Sequence, residues 1–304
     1  MTGAVVVCLL VGGALAVRHL AGDQGHGIPA ADKLHRGATG PVTTSPGGPP
    51  SPRPVSSQSR RPTPRPSSSA PKPAATRTTP TTQPPTGTSS TCTHPDFTSS
   101  APEGGWTDGK YYVTQDMWNA SGYGVQQTLY ACAYNSWYVV ANMNNNSGDG
   151  AVKTYPNVHV DFNEPKISSF HSITSTFAEQ SPHVGIHEDA YDIWLNGVAS
   201  SGSTEVMVWN DNFHQVPSGS EQASVTFGGR GYEVWRNGSY IAVVADSNFT
   251  AGTVDLLGIF NWIIGKGWIP STSTIGQIDY GVELVSTNGS PATFSFSNFS
   301  ISTS

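Results

Sequence analysis

The chain has 304 residues, 36% hydrophobic and 10% aromatic, with 15 Lys and Arg against 21 Asp and Glu for a net charge of −6. The charge is unevenly spread, since residues 91–304 hold six of the basic and nineteen of the acidic side chains, a net −13. Such an acidic region disfavours nucleic acid and anionic membrane as partners; neutral ligands remain, and the aromatic share suits sugars or other flat apolar faces.

The first feature along the chain is AVVVCLLVGGALA, an apolar run ending at Ala16. It is shorter than the roughly 20 residues a membrane-spanning helix needs and reads as the core of a signal peptide over 1–21, with Ala14-Leu15-Ala16 as a cleavage tripeptide. No Lys or Arg precedes it and Arg18 follows. A start codon assigned too far downstream would account for that, and an uncleaved N-terminal anchor stays open. Either way the region that follows is expected outside the cytoplasm, secreted or anchored by its N-terminus. Residues 22–90 read as a linker. From Thr43 to Thr91 it is almost entirely Pro, Ser, Thr, Gly, Ala, Arg and Lys, with no acidic residue and no Trp, Tyr or Phe. Such a composition cannot bury enough apolar surface to offset its ordering entropy.

Folding is therefore expected over 91–304. Cys8 lies in the leader, which leaves Cys92 and Cys132 as the pair in this region. In an exported chain a disulfide is the expectation over two free thiols. Two cysteines without clustered partners argue against structural zinc.

Beyond Cys92, short β-like runs alternate with Gly, Asn and Ser turns: KYYVTQDMW, YACAYNSWYVVANM, AVKTYPNVHVDF, AYDIWLNG, TEVMVW, SVTFGGRGYEVWRNG, YIAVVAD, IDYGVELVS and ATFSFSNFSIS. That spacing predicts an antiparallel sandwich or jelly roll. Gly228-Gly229 marks a hairpin. TFSFSNFSIS alternates Phe with Ser over its first half, as a strand with one wet face should. One segment, TVDLLGIFNWIIGKGW, has helical periodicity: Leu256, Leu257, Phe260, Ile263 and Ile264 form an apolar stripe, with Thr253 as N-cap and Gly265 or Gly267 at the exit. Trp262 and Trp268 are read as structural. His183 and His187 are four apart beside acids, but on β-type sequence that spacing does not converge on a metal. No Gly-rich phosphate loop is present, because GG in VTFGGRGY leads into a strand.

Chemistry is concentrated in acids set inside strands. In TEVMVW, Val206 and Val208 share one face, while Glu205, Met207 and Trp209 share the other. A carboxylate beside polarisable and aromatic side chains suits the floor of a cleft that binds flat rings, although a salt-bridged or solvent-facing Glu fits the run alone. Glu283 interrupts the apolar Val282 and Leu284, with Gly281 on its own face leaving room for a ligand; a solvated edge-strand Glu is the alternative. Asp192 shares its face with Trp194 and could hydrogen-bond one of the glutamates. Carboxylates are normally excluded from buried strand faces unless paired, and glycoside hydrolysis commonly uses two of them flanking the scissile bond.

Taken in order, these segments resemble glycoside hydrolase family 12, over Cys92 to Ile301. The match runs through the first Cys, YYVTQDMWNAS, the second Cys at 132, VKTYPNV, AYDIWL, EVMVW, the GGRGYEVW hairpin, the single helix and GVELVS; EVMVW is the most specific. The resemblance implies an all-β jelly-roll sandwich of two antiparallel sheets with a concave cleft and one helix packed outside. It further implies an endo-β-1,4-glucanase acting on cellulose-type, mixed-linkage or xyloglucan substrates. Glu205 would be the nucleophile and Glu283 the general acid/base of a retaining double displacement. Asp192 would support Glu205, Trp118 would be a stacking platform, and Met207 and Trp209 would floor the cleft. No metal or organic cofactor is implied, and the partner is a β-glucan chain bound by a monomer. Three positions depart from the pattern: Leu284, where many members have Pro before an aromatic; Asn119, in place of a Gly; and the NDNFH segment after Trp209. The rival reading is a non-catalytic carbohydrate-binding jelly roll.

Overall fold

The computed structural model describes residues 92–304. The leader and linker expected over 1–21 and 22–90 lie outside the described residues. With strands numbered in chain order, one sheet has the order β1 (Phe97–Ser99), β4 (Gln126–Ala133), β5 (Ser136–Asn142), β15 (Ala292–Thr303), β7 (Ile173–Gln180), β13 (Ala251–Asp255). The larger sheet runs β10 (Ser220–Phe227), β11 (Arg230–Asn237), β12 (Tyr240–Ala245), β9 (Thr204–Phe213), β8 (Ile186–Leu195), β14 (Ile275–Ser286), β6 (Asn157–Asp161), β3 (Tyr111–Thr114), β2 (Gly105–Asp108). This is the expected jelly-roll sandwich. One pair departs from antiparallel pairing: β12 runs parallel to β9, setting Tyr240 beside Glu205.

Strict alternation makes the core. Val206 and Val208 of β9, Tyr191 and Ile193 of β8, and Tyr280 and Val282 of β14 point inward, against Trp137 and Val139 of β5, Phe177 of β7 and the phenylalanines of β15. In β15 the apolar positions change parity, from Phe294 and Phe296 to Phe299 and Ile301. A bulge between Phe296 and Asn298 absorbs the extra residue, so all four stay buried. Trp137 stacks on Phe296 with ring centroids 4.0 Å apart, a contact worth about 0.5–1.5 kcal/mol beyond its area. At the β10–β11 hairpin, Gly228 and Gly229 have φ of 56° and 81°, the left-handed values a tight two-residue turn requires.

The helix, α1 (Leu256–Gly265), buries Leu256, Leu257, Ile259, Phe260 and Ile263. Two details correct the sequence reading. Thr253 is not the cap: it pairs with Thr176 in β13, and the chain passes straight from strand to helix. Asp255 caps instead, its carboxylate accepting from the Gly258 amide at 2.9 Å. Ile259 replaces Ile264 on the fully buried stripe, and Gly267, at φ 69°, makes the exit. Trp262 and Trp268 pack edge to face over the core, as read. No helix among the described residues is long and apolar enough to cross a membrane.

Cys92 and Cys132 are bonded, with Cα atoms 5.5 Å apart at a sequence separation of 40. The cross-link fastens the start of the described chain to β4. Closing a loop of that size contributes on the order of 3–4 kcal/mol in the chain-entropy model. Replacing both cysteines by alanine is expected to lower the unfolding free energy by about that amount, read as a lower urea midpoint with a somewhat steeper slope as the freed denatured chain exposes more surface; an unchanged midpoint would show the bridge to be dispensable.

Candidate active site

The middle strands of the larger sheet are buried on both faces. Their inward side chains belong to the core. The other face of β9 carries Glu205, Met207 and Trp209; that of β8 carries Glu188, Ala190, Asp192 and Trp194; that of β14 carries Gln277, Asp279, Gly281 and Glu283. Cross-strand register sets Asp192 between Met207 and Asp279. A cavity of about 180 Å³ opens over this face, lined by Asp116, Trp118, Tyr155, Asp192, Trp194, Val198, Ala199, Gln277, Asp279 and Glu283.

The predicted site residues divide. Asp192, Glu283 and Trp118 line the cavity, Trp118 from the loop that follows β3. Glu205 lies on the same face but is only 2% exposed, beside Tyr240. Glu205 and Glu283 do not share a cross-strand row: Glu205 faces Trp194, whereas Glu283 faces Glu188. Glu283 nonetheless contributes to the field at the Glu205 carboxyl. Met207 and Trp209 are placed as read but buried, at 0% and 1% exposure, in a small apolar cluster with Ala190, Tyr240 and Ala242 beneath Trp235 and Val244. The Trp209 indole N–H donates to the Met207 sulfur at 3.4 Å. They support the cleft from below and present no surface to a ligand here.

Gly281 is a further correction. A Cβ there would come within 2.0 Å of the Pro156 carbonyl oxygen and crowd Asn157. The space it leaves is filled by the neighbouring chain, so glycine is required for β6 to approach and not to admit a ligand. Of the departures from the family pattern, Asn119 has a structural part: its side-chain amide donates to Val152 O at 2.7 Å, tying the Trp118 loop down. Leu284 is fully buried in the core.

Three acids missed in the sequence join this face: Asp116, Glu188 and Asp279. Period-2 counting from Glu283 reaches Asp279, and from Asp192 reaches Glu188. Asp116 follows β3 and has φ 37°, which no strand pattern marks. All of them lie in a dry, like-charged environment. Burial, then Asp192 and Glu283, push the Glu205 carboxyl well above the ordinary range. Asp192 is raised by burial, then Glu283 and Asp116; Asp279 by burial, then Asp192 and Asp116; Glu188 by burial, then Glu283. Asp116 is raised to about 7 by burial, with Glu103 and Glu283 adding. Removing a carboxylate from water without a counter-charge costs several kcal/mol, against about 1.4 kcal/mol per unit of pKa. Taking up a proton is the cheaper course, so burial biases Glu205, Asp192, Asp279, Glu188 and Asp116 toward their neutral forms.

His183 and His187 have ring centroids 6.0 Å apart and stack with Phe213. His187 is buried, which lowers its pKa to about 4; its Nδ1 is 3.2 Å from Val184 O. The two do not converge as a ligand pair: His183 Nε2 contacts Asp211 Oδ2 at 2.7 Å.

A jelly roll whose cleft face sets carboxyls among tryptophans suits a carbohydrate ligand, and similarity to known proteins puts the chain among the glycoside hydrolases of the cellulase type. The chain belongs to glycosyl hydrolase family 12, whose family model matches residues 109–304. Endoglucanase A of Aspergillus kawachii is 27% identical over 234 residues, 69% of this chain and 91% of that protein. An inactive glycoside hydrolase of Phytophthora nicotianae is 26% identical over 209 residues, 63% of this chain and 86% of that one. The xyloglucanase domain of NopAA from Sinorhizobium fredii, solved in complex with cellobiose, superposes with a TM-score of 0.61 at 27% identity, covering 69% of this chain and 100% of that one.

The raised carboxyls fix the sign of a stability trend. A group whose folded pKa exceeds its unfolded value contributes stability that is complete below the unfolded pKa and is lost as pH rises through the folded one. For Asp116 that window runs from 3.8 to about 7. The melting temperature of the substrate-free protein is expected to fall between about pH 4 and 7, with the raised carboxyls of Glu205, Asp192, Asp279 and Glu188 acting in the same direction. Calorimetric scans at unit pH steps check this; a flat or rising profile would contradict it.

Proposed function

We propose that this protein is a secreted, retaining endo-β-1,4-glucanase that cuts β-glucan chains by a two-glutamate double displacement. The observation that carries the reading is the placing of Glu205, Asp192 and Glu283 on one buried strand face, with Glu283 and Asp192 opening into a cavity walled by Trp118 and Trp194. Glu205 attacks the anomeric carbon, and Glu283 protonates the leaving oxygen and then activates water for deglycosylation. Asp192, diagonal to Glu205 across the β8–β9 pair, is the positioning residue: it keeps the proton the two acids share, which leaves Glu205 ionised to attack, and retains it as the glycosyl bond forms. Trp118 supplies a stacking surface for a glucose ring. The sugar brings hydroxyl donors into the cleft, which favours the ionised nucleophile that the empty site disfavours. A xyloglucanase and an endoglucanase among the relatives support β-1,4-glucan as backbone, with xyloglucan or mixed-linkage glucan as close variants. The chain acts as a monomer on the far side of the export machinery, reached through the signal or anchor of residues 1–21 and the linker of 22–90, and needs no cofactor.

Reducing-end release by the full chain from carboxymethyl cellulose, mixed-linkage glucan and xyloglucan tests this. Activity is expected on at least one, and Glu205→Gln and Glu283→Gln should each lower kcat by at least ~10²–10⁴-fold. Product anomers followed by NMR should keep the β configuration. Retained binding with no turnover on all three would instead establish the sugar-binding reading.

Asp192→Asn separates positioning from folding. The amide is a weaker donor to the ionised Glu205 than the shared acid proton, so the acid limb of kcat/KM should move to higher pH while kcat falls. An unmoved limb would remove Asp192 from the mechanism.

A further inference from the structure

On the core side of β8 and β9, away from the cleft face, a second set of acids meets between the sheets. Glu179 points inward from β7, following Phe177 along the same face. Asp189 of β8 pairs with Asp211 of β9 across the larger sheet. One carboxylate oxygen from each of the three lies within 4.8 Å of those of the other two. Their exposures are 7%, 0% and 1%.

Protein donors meet only part of this demand. Ser181 Oγ donates to Asp189 Oδ1 at 2.8 Å, and His183 and the Asn248 amide contact Asp211. Asp189 Oδ2 is buried without a hydrogen-bond partner. So is Oδ1 of Asn210, the residue that a bulge inserts opposite the Asp189–Ala190 step, immediately before Asp211. Asn210 is 1% exposed, and its amide nitrogen is already committed to Phe249 O at 3.1 Å. Among the described residues, no Lys or Arg forms an ion pair with the three acids. Both carboxylate oxygens of Glu179 are buried without a partner as well, so three carboxylate oxygens are left without donors in a dry cluster of three formal negative charges.

We propose that Glu179, Asp189 and Asp211 bind a hard divalent cation, calcium, as a clasp between the two sheets. The donors are all oxygens, which selects calcium, magnesium or manganese over zinc or copper. Calcium bonds at about 2.3–2.6 Å let one ion reach oxygens as far apart as these, whereas magnesium at about 2.0–2.1 Å would have to draw them inward. The Ser181 hydroxyl, already 2.8 Å from Asp189, is at hand as a neutral ligand. Water and the ion enter through a cavity of about 600 Å³ on the smaller sheet, whose lining includes Glu179, Gln180 and Ser181. Without the ion, burial and then the fields of Asp189 and Asp211 raise Glu179 to about 10, so its proton is what calcium displaces. The clasp stands apart from the catalytic reading: it joins β7 to β8 and β9 on the side opposite Glu205 and Asp192.

The test uses the full chain, stripped with a chelator and titrated with calcium chloride by isothermal calorimetry and thermal unfolding, with magnesium chloride in parallel. One calcium per chain is expected, with a melting temperature raised by about 5–10 °C at a hundredfold excess over Kd and a smaller rise with magnesium. Glu179→Gln should unfold cooperatively and lose most of the calcium shift. Absence of heat and of any shift in the wild-type protein up to millimolar calcium would overturn the proposal and leave protons as the cluster's neutralisers. An undiminished shift in Glu179→Gln would overturn it too, by placing the ion elsewhere, as on the cleft acids. If that variant fails to fold, Asp192→Asn and Glu283→Gln decide: a calcium shift kept in both places the ion away from the cleft, and its loss in them overturns the proposal.

Discussion

Everything in this fold depends on strands that are dry on both sides. β8, β9 and β14 lie in the middle of a nine-stranded sheet, with a second sheet beneath them and a cleft above. A strand in that position has no wet face on which to leave a charge. Every acid it carries must be neutralised by a proton, a ligand or a neighbour. Two groups of acids, one on each face, live under this rule. On the cleft face the burden falls on carboxyls that line and floor the cavity. On the core face the same burden falls on three groups from opposing sheets.

The sequence made the architecture readable because alternation is the physical cause of a sandwich and leaves a direct trace. Val206 and Val208 against Glu205, Met207 and Trp209 gave the two faces of β9 before any coordinates. The change of parity in β15 was visible as well, though the bulge that reconciles it was not. Sequence carries the number of residues between two phenylalanines, but not which partner strand absorbs the surplus. The helix stripe was legible, and its start was not. Thr253 and Asp255 are both acceptable caps by residue type, and pairing with β7 decided between them.

For the site, the acids inside β-runs could be found, while their burial and their company could not. Met207 and Trp209 looked like contact residues because the face was right; only the return of β12, parallel to β9, covers them with Tyr240 and Ala242. Gly281 looked like room for a ligand and proved to be room for Pro156. Glu188 and Asp279 were within reach of the same period-2 count that found Glu205 and Glu283. Asp116 was not, because a loop residue joins a strand face only through tertiary folding. The meeting of Glu179 with Asp189 and Asp211 was likewise beyond the sequence, since it needs two sheets to be stacked.

The bond between Cys92 and Cys132 has a mechanical side. A force applied to the chain ahead of residue 92 passes through the sulfurs into β4, bypassing the residues between. The short edge strand β1, three residues long and the easiest element to peel from the sheet, is thereby taken out of the line of tension. Load arriving at that end is instead shared as shear along the β4–β5 ladder, where many hydrogen bonds must yield together rather than one after another.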